Sequence, residues 1–142
     1  MISALLVCLV VGISDGDSLT VRCDWPDQHR QVRIHAIDAP ERYQPFGQES
    51  RQSLAELCWH AQASIQPLDT DRFGRSVAQV ECHGRDAAAH QVRRGMAWAS
   101  TRYAQGRADL AALEARARAA RKGLWVDPYP VPPWEWRRQH SP

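Results

Sequence analysis

Four carboxylates crowd two short stretches of the chain: Asp15 and Asp17 flank Gly16, and Asp38 and Glu41 flank Ala39-Pro40. On turns and at strand ends, side-chain oxygens can converge on one cation. Oxygen-only donors select a hard ion: calcium takes roughly six to eight oxygens in irregular geometry, whereas zinc wants nitrogen or sulfur. Taken alone, Asp15-Gly16-Asp17 reads first as a solvated hairpin turn. Two arginines change that balance. Arg33 precedes Asp38 by five residues, and Arg75 closes the turn Phe73-Gly74-Arg75. Beside a metal, two planar guanidinium groups meet the needs of a phosphodiester, holding its oxygens and stabilising added negative charge while a carboxylate takes a proton from water. An odd separation puts Arg33 and Asp38 on opposite faces of a regular strand. They share a site only through a bulge or turn near Ile37, a break that Ala39-Pro40 favours.

The elements that must position these groups follow from periodicity. Leu5–Ile13 is rich in β-branched residues and ends at the Asp15-Gly16-Asp17 turn, Ser18–Cys23 alternates apolar and polar residues, and Gln31–Ile37 returns as a third strand. The polar segment Asp24–Arg30, with Pro26, reads as a loop. A helix over 47–63 places Leu54, Leu57, Cys58 and Ala61 on one face. Ala63–Pro67 and Ser76–Cys82 are two further strands joined by the turn Leu68–Arg75. Asp86–Arg94 is a short helix stopped by Gly95, and Arg107–Lys122 a longer one ending at Gly123. Five short strands with three helices make an α+β chain built on a five-stranded OB-fold barrel, an architecture whose face binds oligonucleotides in many proteins.

Composition is compatible with that reading. The 142 residues suit one domain, and 44% hydrophobic content with a net charge of +2 excludes a disordered or collagen-like chain. The apolar run Ile2–Ile13 falls short of the ~18 residues of a membrane-spanning helix. Charge is divided: residues 1–84 carry a net −4 and residues 85–142 a net +6, so one part can hold a cation and the other attract a polyanion. Seventeen of the eighteen basic residues are Arg, which suits phosphate recognition and equally fits codon bias. Cys8, Cys23, Cys58 and Cys82 allow three full pairings, among which sequence does not choose. The N-terminal run lacks the basic start and cleavage site of a signal peptide, and cutting it away would remove a strand. A truncated secretion signal merged with that strand is the competing view.

Five segments in order carry a resemblance: Asp15-Gly16-Asp17-Ser18; Arg33 with Ile37-Asp38-Ala39-Pro40-Glu41; Asp71-Arg72-Phe73-Gly74-Arg75; Arg93-Arg94-Gly95-Met96-Ala97; and Glu114-Ala115-Arg116 through Gly123-Leu124-Trp125. Together, over residues 8 to 125, they resemble the ordered signature of the staphylococcal (micrococcal) nuclease family. The resemblance implies an OB-fold nuclease that uses Ca²⁺ to hydrolyse DNA and RNA on the 5′-oxygen side of the phosphodiester, leaving 3′-phosphates. By that resemblance Asp17, Asp38 and the backbone carbonyl of Ala39 bind calcium, with Asp15 supporting them from outside. Glu41 is the general base, and Arg33 and Arg75 hold the scissile phosphate. Arg72, Phe73 and Tyr103 contact substrate. Phe73 stands where the family prototype has a Tyr, Thr101 replaces another, Ala88 replaces a buried Asn, and the loop Arg42–Gln48 is shorter. These departures bear on substrate preference and on exo versus endo mode. The resemblance also favours a secreted or periplasmic monomer.

The remaining features read as structural. None of the six His lies in these segments, and His35 reads as a partly buried strand residue. Cys58-Trp59-His60 with Cys82-His83 has zinc-type ligands without zinc-type spacing. Trp134-Glu135-Trp136-Arg137-Arg138 reads either as a surface that stacks bases and meets phosphate, or as a Pro-braced extended tail packing Trp onto the barrel; packing is the preferred reading. The chain divides into a nuclease-like domain, 5–125, and a Pro/Trp-rich tail, 126–142. The expected function is a calcium-dependent nuclease; the alternative is a noncatalytic OB-fold nucleic-acid-binding module, which has no need of Asp17, Asp38, Glu41, Arg33 and Arg75 together.

Overall fold

Two β hairpins and their closure by a distant strand define the barrel. The computed structural model describes residues 5–24, 27–100 and 106–141. β1 (Leu6–Asp15) pairs antiparallel with β2 (Ser18–Asp24), and β2 with β3 (Asp27–Ile34). β5 (Gln62–Thr70) pairs with β1 and with β6 (Ser76–Cys82), and β6 runs parallel to β3, closing a five-stranded barrel. Alternation on β1 and β2 sends Cys8, Val10, Leu19, Val21 and Cys23 inward, where they meet Val32, Ile65 and Val80. Closure covers the β3 edge at Val32–Ile34, where β6 pairs with it. Two-residue strands complete the sheet structure: β4 (Ile37–Asp38) pairs with β8 (Trp98–Ala99), and β7 (Arg85–Asp86) with β6.

Helices α1 (Gly47–Cys58), α2 (Ala87–Arg93) and α3 (Ala108–Ala119) pack beside the barrel. α1 buries Leu54, Leu57 and Cys58 but stops at Cys58, so Ala61 reaches the core from the link to β5. Asp86 caps α2, its carboxylate accepting from Ala89 N at 2.8 Å. On α3 the inward stripe is Leu110, Leu113 and Ala117; Ala120 is exposed. Gly95 and Gly123 lie back to back: a Cβ on Gly95 would sit 2.2 Å from Lys122 O, and one on Gly123 2.3 Å from Gly95 O. That close approach explains why two of the five sequence segments need glycine where they do.

Three expectations are corrected, and the cysteine pairing that the sequence left open is resolved. Asp24–Arg30 is not a loop throughout; β3 begins at Asp27 because Asp27–Arg30 pair with Val21–Asp24. β5 runs on past Pro67 to Thr70, paired with β6 across a bulge at Pro67/Asp69. The tail is not extended throughout. α4 (Pro133–His140) is a fourth α-helix, begun by a proline at its first position, where the lost N–H has no helical partner in any case. The sulfurs pair Cys8–Cys23 and Cys58–Cys82, which removes the zinc-type ligands from consideration. No helix among the described residues is long and apolar enough to cross a membrane.

Candidate active site

Register brings the acidic and basic segments to one end of the barrel. Arg33 sits opposite Ser18 on one side and Val77 on the other. The β1–β2 turn and the β5–β6 turn therefore flank it. β3 then ends at Ile34, and the turn His35-Ala36, with Ala36 at φ 72°, redirects the chain into β4. This turn supplies the break that lets Arg33 and Asp38 share a site, four residues earlier than Ala39-Pro40. Arg33 Nη1 spans it, donating to Ile34 O at 2.7 Å and Ile37 O at 2.9 Å. Its other terminal nitrogen, Nη2, lies 3.4 Å from Asp17 Oδ2 and 3.5 Å from Asp38 Oδ1.

The acidic turn is held from several sides. Asp15 Oδ1 accepts from Asp17 N at 3.1 Å and from the Ser18 hydroxyl at 2.8 Å. Asp17, only 5% exposed, accepts from Ala39 N at 2.7 Å through Oδ2. Burial lifts the Asp17 carboxyl well above the usual carboxylate value; the Arg33 charge opposes that lift and Asp15 adds to it. Burial acts upward on Asp15 too, but its hydrogen bonds with Asp17 and Ser18 and the Arg33 charge outweigh it and leave Asp15 below the usual value. Behind the turn, the fully buried Gln91 of α2 donates to Gly16 O at 2.8 Å and Ser50 O at 2.9 Å. Gln91, three residues from Ala88 on the same helix, thus anchors the Asp15–Asp17 turn to α1.

On the opposite wall, Asp71 folds the β5–β6 turn around itself. Its carboxylate accepts from Phe73 N and Arg75 N, both at 2.9 Å, and from Arg75 Nε at 2.7 Å. Phe73 is 69% exposed, with the Arg72 guanidinium 4.9 Å from its ring centre. Glu41 begins a tight loop in which its N–H donates to Gln44 Oε1 and its carbonyl accepts from Gln44 N, each at 2.9 Å. A residue that the sequence reading left outside the site completes the wall. Arg137 of α4 donates to Glu41 Oε1 through Nη1 and to Asp38 Oδ2 through Nη2, the latter at 3.3 Å. Its signal was the aromatic and basic run 134–138.

One cleft of 570 Å³ is lined by Asp15, Asp17, Asp38, Ala39, Glu41, Arg33, Arg72, Phe73 and Arg75, together with Gln31 and Arg137. Every expected site residue among the described ones is there; Tyr103 lies outside the described residues. His35 stands apart from this cleft, its imidazole kept below the usual value by burial and by the charges of Arg107 and Arg33. Among the described residues no three His, Cys, Asp or Glu side chains form a metal cage. The donors on offer are two carboxylates that converge on one point, a neighbouring backbone carbonyl and water, a set that suits a hard cation and not zinc.

Residues 31–127 match the family described as staphylococcal nuclease homologue. The chain is 40% identical over 144 residues to "Protein ParB" of Escherichia coli, covering 93% of this chain and 79% of that one. It is 39% identical over 134 residues to an "Uncharacterized endonuclease" of Haemophilus influenzae, covering 94% and 74%, and 37% identical over 139 residues to a "Micrococcal nuclease" of Shigella flexneri, covering 91% and 79%. A closed barrel with a cleft of carboxylates and arginines at one end thus belongs here to the class of OB-fold nucleases, which are hydrolases. The chain is a member of the staphylococcal nuclease family.

Proposed function

We propose that this nuclease is calcium-dependent and hydrolyses phosphodiester bonds of DNA and RNA with little sequence specificity, acting as a monomer and leaving 3′-phosphates. The observation that carries the reading is the single cleft in which Asp17 and Asp38 converge on Arg33 while Glu41 and Arg75 line the same walls. Asp17, Asp38 and the Ala39 carbonyl are the residues that would hold Ca²⁺, with Asp15 fixing the backbone of Asp17. When bound, the ion supplies Lewis-acid polarisation of a phosphoryl oxygen and of a water molecule.

Glu41 takes a proton from the attacking water. Arg33 and Arg75 each bind a phosphoryl oxygen and stabilise the charge that gathers there as phosphorus becomes five-coordinate. The bond from phosphorus to the 5′-oxygen breaks, that oxygen takes a proton from solvent and departs as a hydroxyl, and the phosphate stays on the 3′-oxygen. Arg72 meets a flanking phosphate, Phe73 offers its exposed ring face to a base, and Tyr103 contacts substrate. Phosphate charge and ring stacking carry little sequence information, which accounts for the breadth of substrate.

Single-stranded DNA and RNA incubated with Ca²⁺, and again with a chelator, test this with wild type and Glu41→Gln side by side. Cutting that requires calcium, yields phosphatase-sensitive 3′ ends and is lost in the variant is the expected result. Wild-type protein that binds the strand under both conditions and leaves it intact would replace the enzyme with the noncatalytic binding module.

A further inference from the structure

Four arginines line the cleft, and Arg33, Arg75 and Arg137 among them are held in different ways. Arg33 is tied to two backbone carbonyls that keep their places whatever the cleft contains. Arg75 is tied through Nε to Asp71, which belongs to its own turn. Arg137 is different: among the described residues its guanidinium has only Asp38 and Glu41 as polar partners. These are the carboxylates assigned above to the cation and to the attacking water. Asp38 already faces Arg33 through Oδ1 and Arg137 through Oδ2, so a cation that takes Asp38 competes with Arg137 for it.

The backbone beneath Arg137 is fixed while its head is not. Gln44 Nε2 donates to Val131 O just before α4, and Trp134 meets Trp98 edge to face with ring centres 6.1 Å apart. The Arg137 side chain itself is 51% exposed. A rotamer change therefore moves the guanidinium without undocking the helix. Once its carboxylate partners are given up, a planar cation at the rim of the cleft has one strong partner left among the groups that enter, a substrate phosphate.

Resting on the nuclease reading above, we propose that Arg137 is a mobile fourth phosphate-binding arginine of this site, beside Arg33, Arg72 and Arg75: in the ligand-free protein it rests on Asp38 and Glu41, and it turns to a substrate phosphate when those carboxylates serve the cation and the water. The tail helix is then part of the active site. Metal and nucleic acid assist each other through this one side chain, because each removes a partner that competes with the other.

Arg138, next along α4, pairs with Glu135 on the helix and does not line the cleft, so Arg138→Gln removes the same charge as a control. The test combines calcium titration by calorimetry without nucleic acid and steady-state cleavage of single-stranded DNA at saturating Ca²⁺. For Arg137→Gln the calcium dissociation constant falls about fivefold and KM for DNA rises about tenfold. Arg138→Gln changes neither, and Arg137→Lys lies between. Unchanged or weaker calcium binding in Arg137→Gln overturns the proposal, and so does an unchanged KM, which would leave Arg137 an occupant with no part in substrate binding. Wild-type protein that neither binds calcium nor cuts removes the nuclease reading itself and this proposal with it, an outcome visible before any variant is compared.

Discussion

The side-chain amide of Gln91 donates to the carbonyl of Gly16, 75 residues away in the chain, at 2.8 Å. The same nitrogen bonds Ser50 O, so one buried amide fastens the Asp15–Asp17 turn to α1. Gln91→Met keeps the volume and removes both bonds, leaving two carbonyls without that donor. The expected cost is about 1–3 kcal/mol of stability, read from urea denaturation, together with weaker calcium binding as Asp17 loses its fixed place. Calcium affinity that stays at the wild-type value would show that the turn does not depend on this anchor.

Gly16 answers to space, not to a left-handed backbone. It is absent from the positive-φ residues, yet a Cβ there would lie 1.7 Å from Ser50 Oγ and 2.9 Å from Ala39 Cβ. Gly16→Ala is expected to destabilise the protein by about 1–3 kcal/mol through overpacking. In the double variant with Ser50→Gly the nearest clash is gone, so the two effects should sum to less than their separate values. Strict additivity would place the strain elsewhere.

Much of the barrel was legible because short-range signals agree with the fold: β-branched residues on β1, alternation on β2, and turn residues at 15–17 and 71–75; the cleft was legible in its carboxylates with Arg33 and Arg75, and in its remaining residues through the family resemblance. What stayed hidden depends on partners distant in sequence. Gln28–Arg30 are polar and form a strand only because β2 pairs with them. The cysteine pairing follows from register, which sets Cys8 opposite Cys23, and from the end of α1 meeting the end of β6. Pro132-Pro133 reads as extended chain until the second proline is seen to start α4. Arg137 reaches Glu41 across 96 residues, a contact no local pattern encodes.

The two disulfides close loops with sequence separations of 15 and 24 residues. Restricting the unfolded chain by loops of this size stabilises a protein by about 3 kcal/mol each. Cys8→Ala with Cys23→Ala, and Cys58→Ala with Cys82→Ala, are each expected to lose on that order in denaturant unfolding, and dithiothreitol should then have no further effect at the removed bridge. A reducing agent that leaves the wild-type melting temperature unchanged would mean that neither bridge stabilises the fold.

His90 couples stability to mild acid. Burial lowers its affinity for a proton; the hydrogen bond from Nε2 to Ser53 O at 3.0 Å works the other way, and the Arg94 charge adds to the lowering. A group whose folded value lies below its unfolded value of 6.5 contributes stability that is complete above that pH and is lost as pH falls towards the folded value. The melting temperature should therefore decline on acidification from neutral pH before carboxylates of ordinary affinity titrate, with the raised carboxyl of Asp17 working against the decline. His90→Gln should flatten that decline, with His35, lowered in the same direction, accounting for what remains. An unchanged slope in the variant would remove His90 as the cause.

Arg33 is asked to do two things at once, and lysine can do only one. Its Nη1 holds the turn carbonyls of Ile34 and Ile37 while Nη2 faces Asp17 and Asp38. A lysine keeps the charge but lacks the fork that fills both roles from one planar group. Arg33→Lys is expected to lower kcat by about 10²-fold or more, since a donor aimed at transition-state charge is lost, with a smaller rise in KM. Circular dichroism and calcium titration separate this from a collapsed turn. A variant that melts early yet turns over at the wild-type rate would assign Arg33 to the architecture of the turn and leave phosphate stabilisation to Arg75.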